Sequence, residues 1–395
     1  MKPKLFIISF SDLQRDSRVL RQIKALAPHF EVTAAGFGMD PSPMMPGVAF
    51  RFVPLFRRQT RVRKFLRMLA FLPGWVWPSA DFWPWSITEE YRAARAALFA
   101  EPYDLMLCND LNTMLLGAEA RRKKGIPFVA DYHEFPAGEA SELLSFRLFK
   151  GPHGHRCLKR FAPLAAGSVT VNQPFADSFR ETYGFPAIVV LNAPELRALP
   201  PAEPHDDGKI HLIHHGVAAA NRNLELMIRA LPLMRPEFVL HLMMIISPEY
   251  LAALKQEAET HAPGRVFFED LAAPTEVAAR ISKWDIGLSI VHNHSFNNEH
   301  ALPNKLFEYL HGGLAVCCSR SPALDGFIRE HDNGWLTEDV SSESLARCLN
   351  AITREDLEHK KQASLRAREK FHAGAETAKL VELLTNIAAR EKVSV

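Results

Sequence analysis

An amide, an ammonium group and a carboxylate lie within one helical turn at Asn304, Lys305 and Glu308. On a helix, residues three and four apart share one face, so these three side chains lie together and the apolar residues between them take the other face. Pro303 suits the first turn, and the glycine pair that follows suits the end. The first turn offers free backbone N–H groups and a positive dipole end that attract phosphate, and a carboxylate one turn later accepts hydrogen bonds from ribose hydroxyls. The pattern therefore indicates a site for a nucleoside diphosphate.

The spacing also fits a surface ion pair between Lys305 and Glu308, and it leaves both interpretations open. Arg222 follows the first strand of the second half of the chain. It either binds phosphate there or is a surface charge. His214 and His215, which precede Gly216, either line the nucleotide site or simply finish their strand.

Three residues of the first half have alternatives of the same kind. His133 follows an apolar run and could be a hydrogen-bonded core histidine. Asp16 and Arg18 begin a helical pattern and could be a helix cap and a solvated charge.

Short apolar runs alternate with longer helical patterns, and these elements must position the candidate residues. The runs "KLFIISF", "FEVTAAGF", "YDLMLCND" and "PFVADYHE" read as strands of a βαβ series, which indicates an α/β fold with parallel sheets. The series restarts after a proline-rich linker over residues 193–209. We expect two facing Rossmann-like domains, an acceptor-side domain over 1–192 and a nucleotide-sugar domain over 210–375. A C-terminal helix over 376–395 can return to the first domain. Ligands are expected beyond the carboxyl ends of the strands, in an interdomain cleft.

The segment 56–87 combines six basic residues with four of the six tryptophans. Basic and apolar residues at near-helical spacing, followed by tryptophans, suit a protein that lies on an anionic membrane. The alternative is a helix packed inside the first domain, with tryptophans that shape an acceptor pocket. The predicted membrane contacts are Arg61, Lys64, Arg67, Trp75 and Trp77.

The composition excludes several classes of protein. A net charge of +2 over 395 residues gives no general attraction to nucleic acid. The five cysteines form no C-x-x-C pair and the histidines lack ligand spacing, so neither a zinc site nor a disulfide framework is expected. The start reads as a strand and no apolar stretch is long enough to span a bilayer, so a cytoplasmic protein is expected.

Motifs along nearly the whole chain resemble those of GT-B glycosyltransferases, in the broad group that includes family 4. "LPNKLFEYLHGGLAV" resembles the signature PNKLFEYxxxGxPV, "FVADYHEF" is similar to YDAHELF, and "HHGVAAANRNLELMIRAL" resembles YQGxxxxxRGLExLIxAL. "RDSRVLRQIKALA", "YDLMLCNDLNTMLLG" and "SVTVNQPFADSFRETYG" resemble further motifs in the right order. The resemblance implies the GT-B fold and transfer of a sugar from a UDP- or GDP-linked donor.

The resemblance also implies roles for individual residues. Glu308 matches the glutamate that holds the ribose, and His133 matches a histidine that faces the donor sugar, which makes it the catalytic candidate. The remaining donor-nucleotide candidates are Lys305, Asn304, Arg222, Gly216 and His215. The acceptor-side candidates are Asp16, Arg18, Asp110 and Glu134.

The sequence departs from the family pattern at three places. Many family 4 members have a glutamate eight positions before the one at 308, whereas position 300 is His beside Glu299. Both are donor-sugar candidates, and the departure leaves the identity of the sugar open. Asn109 replaces one histidine of the family motif, and Val217 replaces an arginine, so that Arg222 must supply the positive charge.

These observations predict a glycosyltransferase with a glycan or glycolipid acceptor at the inner face of the membrane. The resemblance implies retention of the anomeric configuration. There is no D-x-D triplet to hold a metal on the diphosphate, so no metal and no cofactor are expected. A nucleotide-sugar epimerase and a non-catalytic sugar-nucleotide-binding protein are the alternatives.

Overall fold

The structure is a computed structural model and describes residues 2–56, 66–67, 69–71, 73–136, 138, 144, 146–200, 207–218, 222–273, 275–291 and 295–393. Contacts between residues divide it into two compact units. The first unit holds Met1–Leu191, Ser295–Asn297 and Ala375–Val395, and the second holds Asn192–His294 and Asn298–Gly374.

A parallel sheet forms the centre of the first unit. Among the described residues its strands are β1 (Lys4–Asp12), β2 (Glu31–Phe37), β3 (Arg51–Pro54), β4 (Leu105–Asn109), β5 (Phe128–Tyr132), β6 (Gly167–Thr170) and β7 (Ile188–Val189). They lie in the order β3-β2-β1-β4-β5-β6-β7. Every residue of β4 and β5 is buried. Strands that are buried along their whole length are expected where helices cover both faces of a sheet.

Helices follow most of these strands. They are α1 (Ser17–Leu26), α2 (Trp83–Ser86), α3 (Glu89–Ala100), α4 (Asp110–Lys124), α5 (Gly151–Phe161) and α6 (Gln173–Tyr183). Short helical turns lie at Ser42–Met44, Pro73–Trp75, Pro78–Phe82, Phe146–Lys150 and Ala162–Leu164. Helix α1 buries Val19, Ile23 and Leu26, whose spacing of four and three places them on one face against the sheet.

The second unit has a parallel sheet of its own. Among the described residues its strands are β8 (Ile210–Val217), β9 (Phe238–Ile245), β10 (Val266–Glu269), β11 (Ile286–Ser289), β12 (Ala315–Ser319) and β13 (Gly334–Thr337). They lie in the order β10-β9-β8-β11-β12-β13. The sheet brings the carboxyl ends of β8, β11 and β12 side by side, because all three strands run in the same direction.

The helices of the second half follow the same alternation. They are α7 (Leu224–Ala230), α8 (Pro248–His261), α9 (Val277–Ile281), α10 (Phe296–His300), α11 (Asn304–Gly312), α12 (Pro322–His331), α13 (Ser342–Asn350), α14 (Arg354–Arg368) and α15 (Ala373–Val393), with a short turn at Leu231–Leu233. None of the described helices is long and apolar enough to cross a membrane.

The last helix packs on the sheet of the first unit. Leu380, Leu384 and Ile387 of α15 are buried in the same apolar cluster as α1. Each such side chain contributes about 1.5–3 kcal/mol when it is fully removed from water. The Glu376 carboxylate also accepts a hydrogen bond from the Leu191 N–H at 2.8 Å. The predicted α/β class with two Rossmann-like parallel sheets is confirmed.

Candidate functional site

Helix α11 carries the candidate residues of the second unit, and its ends have clear local causes. Pro303 is extended and precedes the first helical residue, Asn304. Gly313 ends the helix in the left-handed conformation with φ 73°, which glycine adopts without a Cβ clash. Leu306 and Leu310 are buried, so the opposite side is left for the polar residues.

The Lys305 side chain extends from α11 to the carboxyl end of β8. Its Nζ lies 3.0 Å from Nε2 of His214. Burial, and secondly the charge of Arg222, lower the pKa of Lys305 to about 7, while Glu308 and the Cys318 thiol act in the opposite direction. Lys305 is therefore half-buried, with its amine against the end of β8, and it is not a solvated surface charge.

Glu308 lies one turn further along α11, beside His215. Its Oε2 is 3.4 Å from Nε2 of His215, a nitrogen that makes no hydrogen bond among the described residues. Burial, and then the neighbouring Lys305, lower the pKa of His215 to about 3, so that the ring is neutral at physiological pH. The contact therefore joins the Glu308 carboxyl group to a neutral ring and is not an ion pair. About a quarter of the Glu308 side chain is exposed (26%), which gives solvent access to it.

Two further donor candidates lie around the lysine. Gly216 has φ 118°, and a Cβ there would come within 3.0 Å of Cε of Lys305. Arg222 is half-buried, and its charge lowers the pKa of Lys305, which places the guanidinium near the amine.

The remaining donor candidates lie elsewhere on α10 and α11. The exposed Asn304 side chain accepts a hydrogen bond from Asn192 at 2.9 Å, so its amide is directed to that loop. Glu299 is exposed and His300 is half-buried in α10.

A second polar cluster lies in the first unit, at the carboxyl ends of β4 and β5. Nε2 of His133 lies 3.0 Å from Oδ1 of Asn109, whose Nδ2 donates to the Ile8 carbonyl at 3.3 Å. Because the amide oxygen only accepts, Nε2 of His133 carries the hydrogen in the neutral ring. Its Nδ1 faces the Asp110 carboxylate at 3.7 Å. The His133 side chain is 22% exposed, so it is accessible and is not a core histidine.

A buried ion pair lies beneath His133. The Arg18 guanidinium donates two hydrogen bonds to the Asp131 carboxylate, at 2.8 and 2.7 Å, and a third to the Val190 carbonyl at 2.8 Å. Gln22 donates to the same carboxylate at 2.6 Å. Burial alone would raise the pKa of Asp131, but Arg18 and the other donors outweigh it and hold the pKa below its usual range.

The predicted acceptor-side residues are not equivalent in the structure. Asp16 is the N-cap of α1 and accepts from the Val19 N–H at 3.1 Å, as the capping alternative states. Arg18 is buried with its guanidinium on Asp131, so the solvated-charge alternative is wrong. Asp110 begins α4 with φ 70°, and its carboxylate accepts from the His133 N–H at 3.3 Å. Glu134 accepts from Asn297 at 3.1 Å.

Sequence reasoning missed the roles of Asp131 and Asn109 in this cluster. A signal for Asp131 was present, because a carboxylate inside the apolar run "PFVADYHE" must find a buried partner. Nothing in the sequence identified that partner as Arg18, 113 residues away.

The predicted membrane contacts are described only in part. Arg61 and Lys64 lie outside the described residues. The Arg67 guanidinium lies 3.8 Å from the centre of the Trp85 ring, so it packs on the protein. Trp75 lies in the short turn Pro73–Trp75, and Trp77 is 62% exposed.

Asp81, His153 and Cys157 form a buried group with three possible metal ligands in the described part of the chain. Two of these ligands already have protein partners. Arg156 donates to Asp81 at 3.0 Å, and the Trp85 indole donates to Nε2 of His153 at 3.3 Å. A cation would have to displace these donors, so the geometry favours a structural polar network.

Comparisons with known proteins agree with this architecture. Residues 16–194 match the family model described as a glycosyl transferase 4-like domain. No curated protein sequence matches the chain significantly. Similar solved structures include HepE of Anabaena in complex with UDP-glucose, with a TM-score of 0.68 at 14% identity over 97% of this chain and 100% of that chain.

Two other solved structures are similar over comparable lengths. Sucrose-phosphate synthase from Thermosynechococcus elongatus has a TM-score of 0.72 at 14% identity, with 98% of this chain and 100% of that chain covered. The lipopolysaccharide outer core galactosyltransferase WaaB has a TM-score of 0.66 at 14% identity, with 97% and 99% covered. The prediction from the sequence motifs is thus confirmed: the chain has the GT-B fold, and its residues 16–194 match the glycosyl transferase 4-like domain.

Proposed function

We propose that the protein is a glycosyltransferase that moves a sugar from a nucleoside-diphosphate sugar to an acceptor hydroxyl. The observation that carries the proposal is the juxtaposition of Lys305 with His214, and of Glu308 with His215, where the start of α11 meets the end of β8. An amine at a helix N-terminus suits a diphosphate, and a carboxylate one turn later suits a ribose diol. UDP is the first candidate donor nucleotide, because HepE was solved with UDP-glucose, UDP, and UDP with glucose. GDP is the alternative.

The residues of the second unit can stabilise the leaving diphosphate. As the bond between the sugar and the diphosphate breaks, negative charge collects on the phosphate oxygens. The N-terminus of α11, Lys305 and Arg222 supply positive charge for it without a metal ion. Glu308 would hold the ribose and so fix the nucleotide along the helix.

The cluster of the first unit supplies the residue proposed to act on the reacting sugar. His133 is partly exposed; Asn109 binds its ring through Nε2, and the Asp110 carboxylate accepts a hydrogen bond from its backbone N–H. A ring fixed in this way loses little entropy in the transition state, where it would bind the sugar or the acceptor hydroxyl. Retention of configuration is part of the proposal and rests on the family resemblance.

A glycan or glycolipid at an anionic membrane surface is the proposed acceptor. Val76 and Trp77 are exposed apolar side chains, 72% and 62% accessible, in a segment rich in basic residues. Such residues favour a peripheral protein at the inner face of the membrane.

Incubation with a panel of sugar nucleotides tests the proposed activity. UDP-glucose, UDP-galactose and GDP-mannose are supplied with and without a lipid-linked glycan, and nucleoside diphosphate and sugar products are measured. A transferase gives slow release of the nucleoside diphosphate alone and faster release with acceptor. Conversion of the sugar nucleotide without acceptor would identify an epimerase. Binding of the nucleotide without release or conversion would identify a binding protein.

A further inference from the structure

His214 of the second unit contacts Lys305 but has no role of its own in the proposed chemistry. The ring is buried, with 1% of the residue exposed, at the carboxyl end of β8. Its two nitrogens face different partners. Nδ1 lies 3.0 Å from the Leu288 carbonyl oxygen, and Nε2 lies 3.0 Å from Nζ of Lys305.

The Leu288 carbonyl determines the tautomer of this ring. A carbonyl oxygen only accepts, so Nδ1 of His214 must carry the hydrogen. Nε2 of the neutral ring then has a lone pair, which can only accept from Lys305. Burial, and then the neighbouring Lys305, hold the pKa of His214 well below its usual range, so the ring keeps this neutral form.

The Leu288 carbonyl that accepts from His214 is itself held in place by a second hydrogen bond. The Leu288 carbonyl also accepts the hydroxyl hydrogen of Tyr309 at 2.9 Å, so that both of its lone pairs are used. The Tyr309 ring covers Gly287, where a Cβ would come within 2.2 Å of the ring. The carbonyl that orients His214 is therefore fixed by strand β11 and by helix α11 together.

We propose that His214 is a positioning residue of the donor site. Its ring accepts a hydrogen bond from the Lys305 amine and so holds that amine where the diphosphate of the donor binds. Without this acceptor, a lysine side chain would sample several rotamers and would lose that rotamer entropy when it binds phosphate. The proposal rests on the proposed function and deepens it. His214 acts through Lys305 and need not touch the nucleotide.

Two amide substitutions separate positioning from simple structural support. In His214→Asn the amide nitrogen can take the place of Nδ1 and keep the bond to Leu288, but nothing reaches Lys305. In His214→Gln the amide oxygen can take the place of Nε2 and accept from Lys305, while the bond to Leu288 is lost. The proposal predicts that the Gln variant binds nucleotide better than the Asn variant, whereas a purely structural role predicts the reverse.

The experiment measures the affinities of UDP and GDP by calorimetry for the full chain. We expect His214→Asn to bind the preferred nucleotide about tenfold more weakly than wild type, and His214→Gln to stay within about threefold, the range of one charge-assisted hydrogen bond. In a Lys305→Met background the two substitutions should have equal affinity. His214→Phe, which keeps the ring volume and no acceptor, replaces the Asn variant if the latter does not fold.

The possible failures can be told apart. If wild type binds neither UDP nor GDP, the proposed function is wrong. If wild type binds and His214→Asn binds equally well, or if the loss persists in the Lys305→Met background, the positioning role of His214 is overturned while the proposed function stands.

Discussion

The charge of Lys305 depends strongly on its surroundings. It faces His214 on β8, Glu308 on its own helix, Cys318 on β12 and the Arg222 guanidinium. Burial and Arg222 bring its pKa to about 7, so both protonation states are populated near neutral pH. A bound diphosphate favours the ammonium form and must raise that pKa. The proposed binding of a nucleoside diphosphate would therefore be linked to proton uptake at this residue.

The linkage predicts that UDP binding takes up a proton above neutral pH. Because the free amine has a pKa of about 7, most Lys305 is neutral at pH 8. The complex should then gain nearly one proton, and the affinity should fall as the pH rises from 7 to 9. Calorimetry in two buffers of different ionisation enthalpy counts the protons. Lys305→Arg is the control, since a guanidinium stays charged. Equal proton uptake in that variant would assign the proton to another group.

The Glu308 carboxylate is the predicted partner of the ribose. Glu308→Gln keeps the size of the side chain and removes the charge. We expect it to weaken nucleotide binding by about 1.5–3 kcal/mol, the range for hydrogen bonds to charged groups. The melting temperature without ligand should change little, because the carboxylate is partly exposed. An unchanged nucleotide affinity would leave only a surface role for Glu308.

His133 and Asn109 are expected to act in the transition state. His133→Ala should lower kcat far more than it changes the affinity for the donor, as expected for a group that acts mainly in the transition state. Asn109→Ala removes the acceptor that fixes the ring, so it should lower kcat by less, typically about tenfold for one lost hydrogen bond. Steady-state rates with the best donor and acceptor provide the measurement. Normal turnover in His133→Ala would return this histidine to a structural role.

Helix α1 and strand β5 are joined by the buried ion pair of Arg18 and Asp131, which helps to position His133. Asp131 lies near the end of β5, and His133 directly follows this strand. Because Arg18 binds the Asp131 carboxylate, it also fixes the position of the backbone that carries His133. The pKa of Asp131 is held below its usual range by these donors. The stabilisation is therefore fully present above the unfolded-state pKa and is lost as the pH falls through the folded one.

Removal of one partner of this pair should destabilise the protein strongly. Arg18→Met leaves a buried charge without its main partner, which typically costs about 3–5 kcal/mol. The double variant Arg18→Met with Asp131→Leu should recover part of that loss, because no uncompensated charge remains. Urea unfolding of the single and double variants measures both. A single variant as stable as wild type at pH 7 would show that the pair contributes little.

For the molecule as a whole, the sequence predicts helices, strands and their ends, but it does not predict contacts between residues that are far apart in the chain. The bounds of α11 follow from Pro303 and Gly313, and the alternating sheets follow from short apolar runs. Contacts of His214 with Lys305 and of Arg18 with Asp131 join residues 91 and 113 positions apart, which only the folded chain brings together. Helix α9 is short, because among the described residues 275–284 only Val277–Ile281 is helical. Propensity is a weak guide in such short segments.

Membrane association is the prediction that concerns the whole molecule. Arg61 and Lys64, whose charges are known from the sequence alone, precede the exposed side chains Val76 and Trp77. Each basic residue near an anionic surface contributes about 1 kcal/mol, and the apolar side chains add their own burial. The protein should therefore float with vesicles of phosphatidylcholine and phosphatidylglycerol at low salt, and not with phosphatidylcholine alone.

Three variants assign the contact to this segment. Arg61→Gln with Lys64→Gln should reduce vesicle binding by about 2 kcal/mol, and Trp77→Ser should reduce it further. Ile245→Ser, which replaces a side chain of similar exposure (58%) in the second unit, is the matched control and should bind as wild type does. Binding should weaken as salt rises, because exposed charges are screened over about 8–10 Å at physiological ionic strength. If the protein ignores anionic vesicles at low salt, or if the charge variant binds them unchanged, the segment does not contact the membrane. A soluble acceptor would then fit the exposed Trp77 better, because an aromatic ring at the protein surface can also pack on a free sugar.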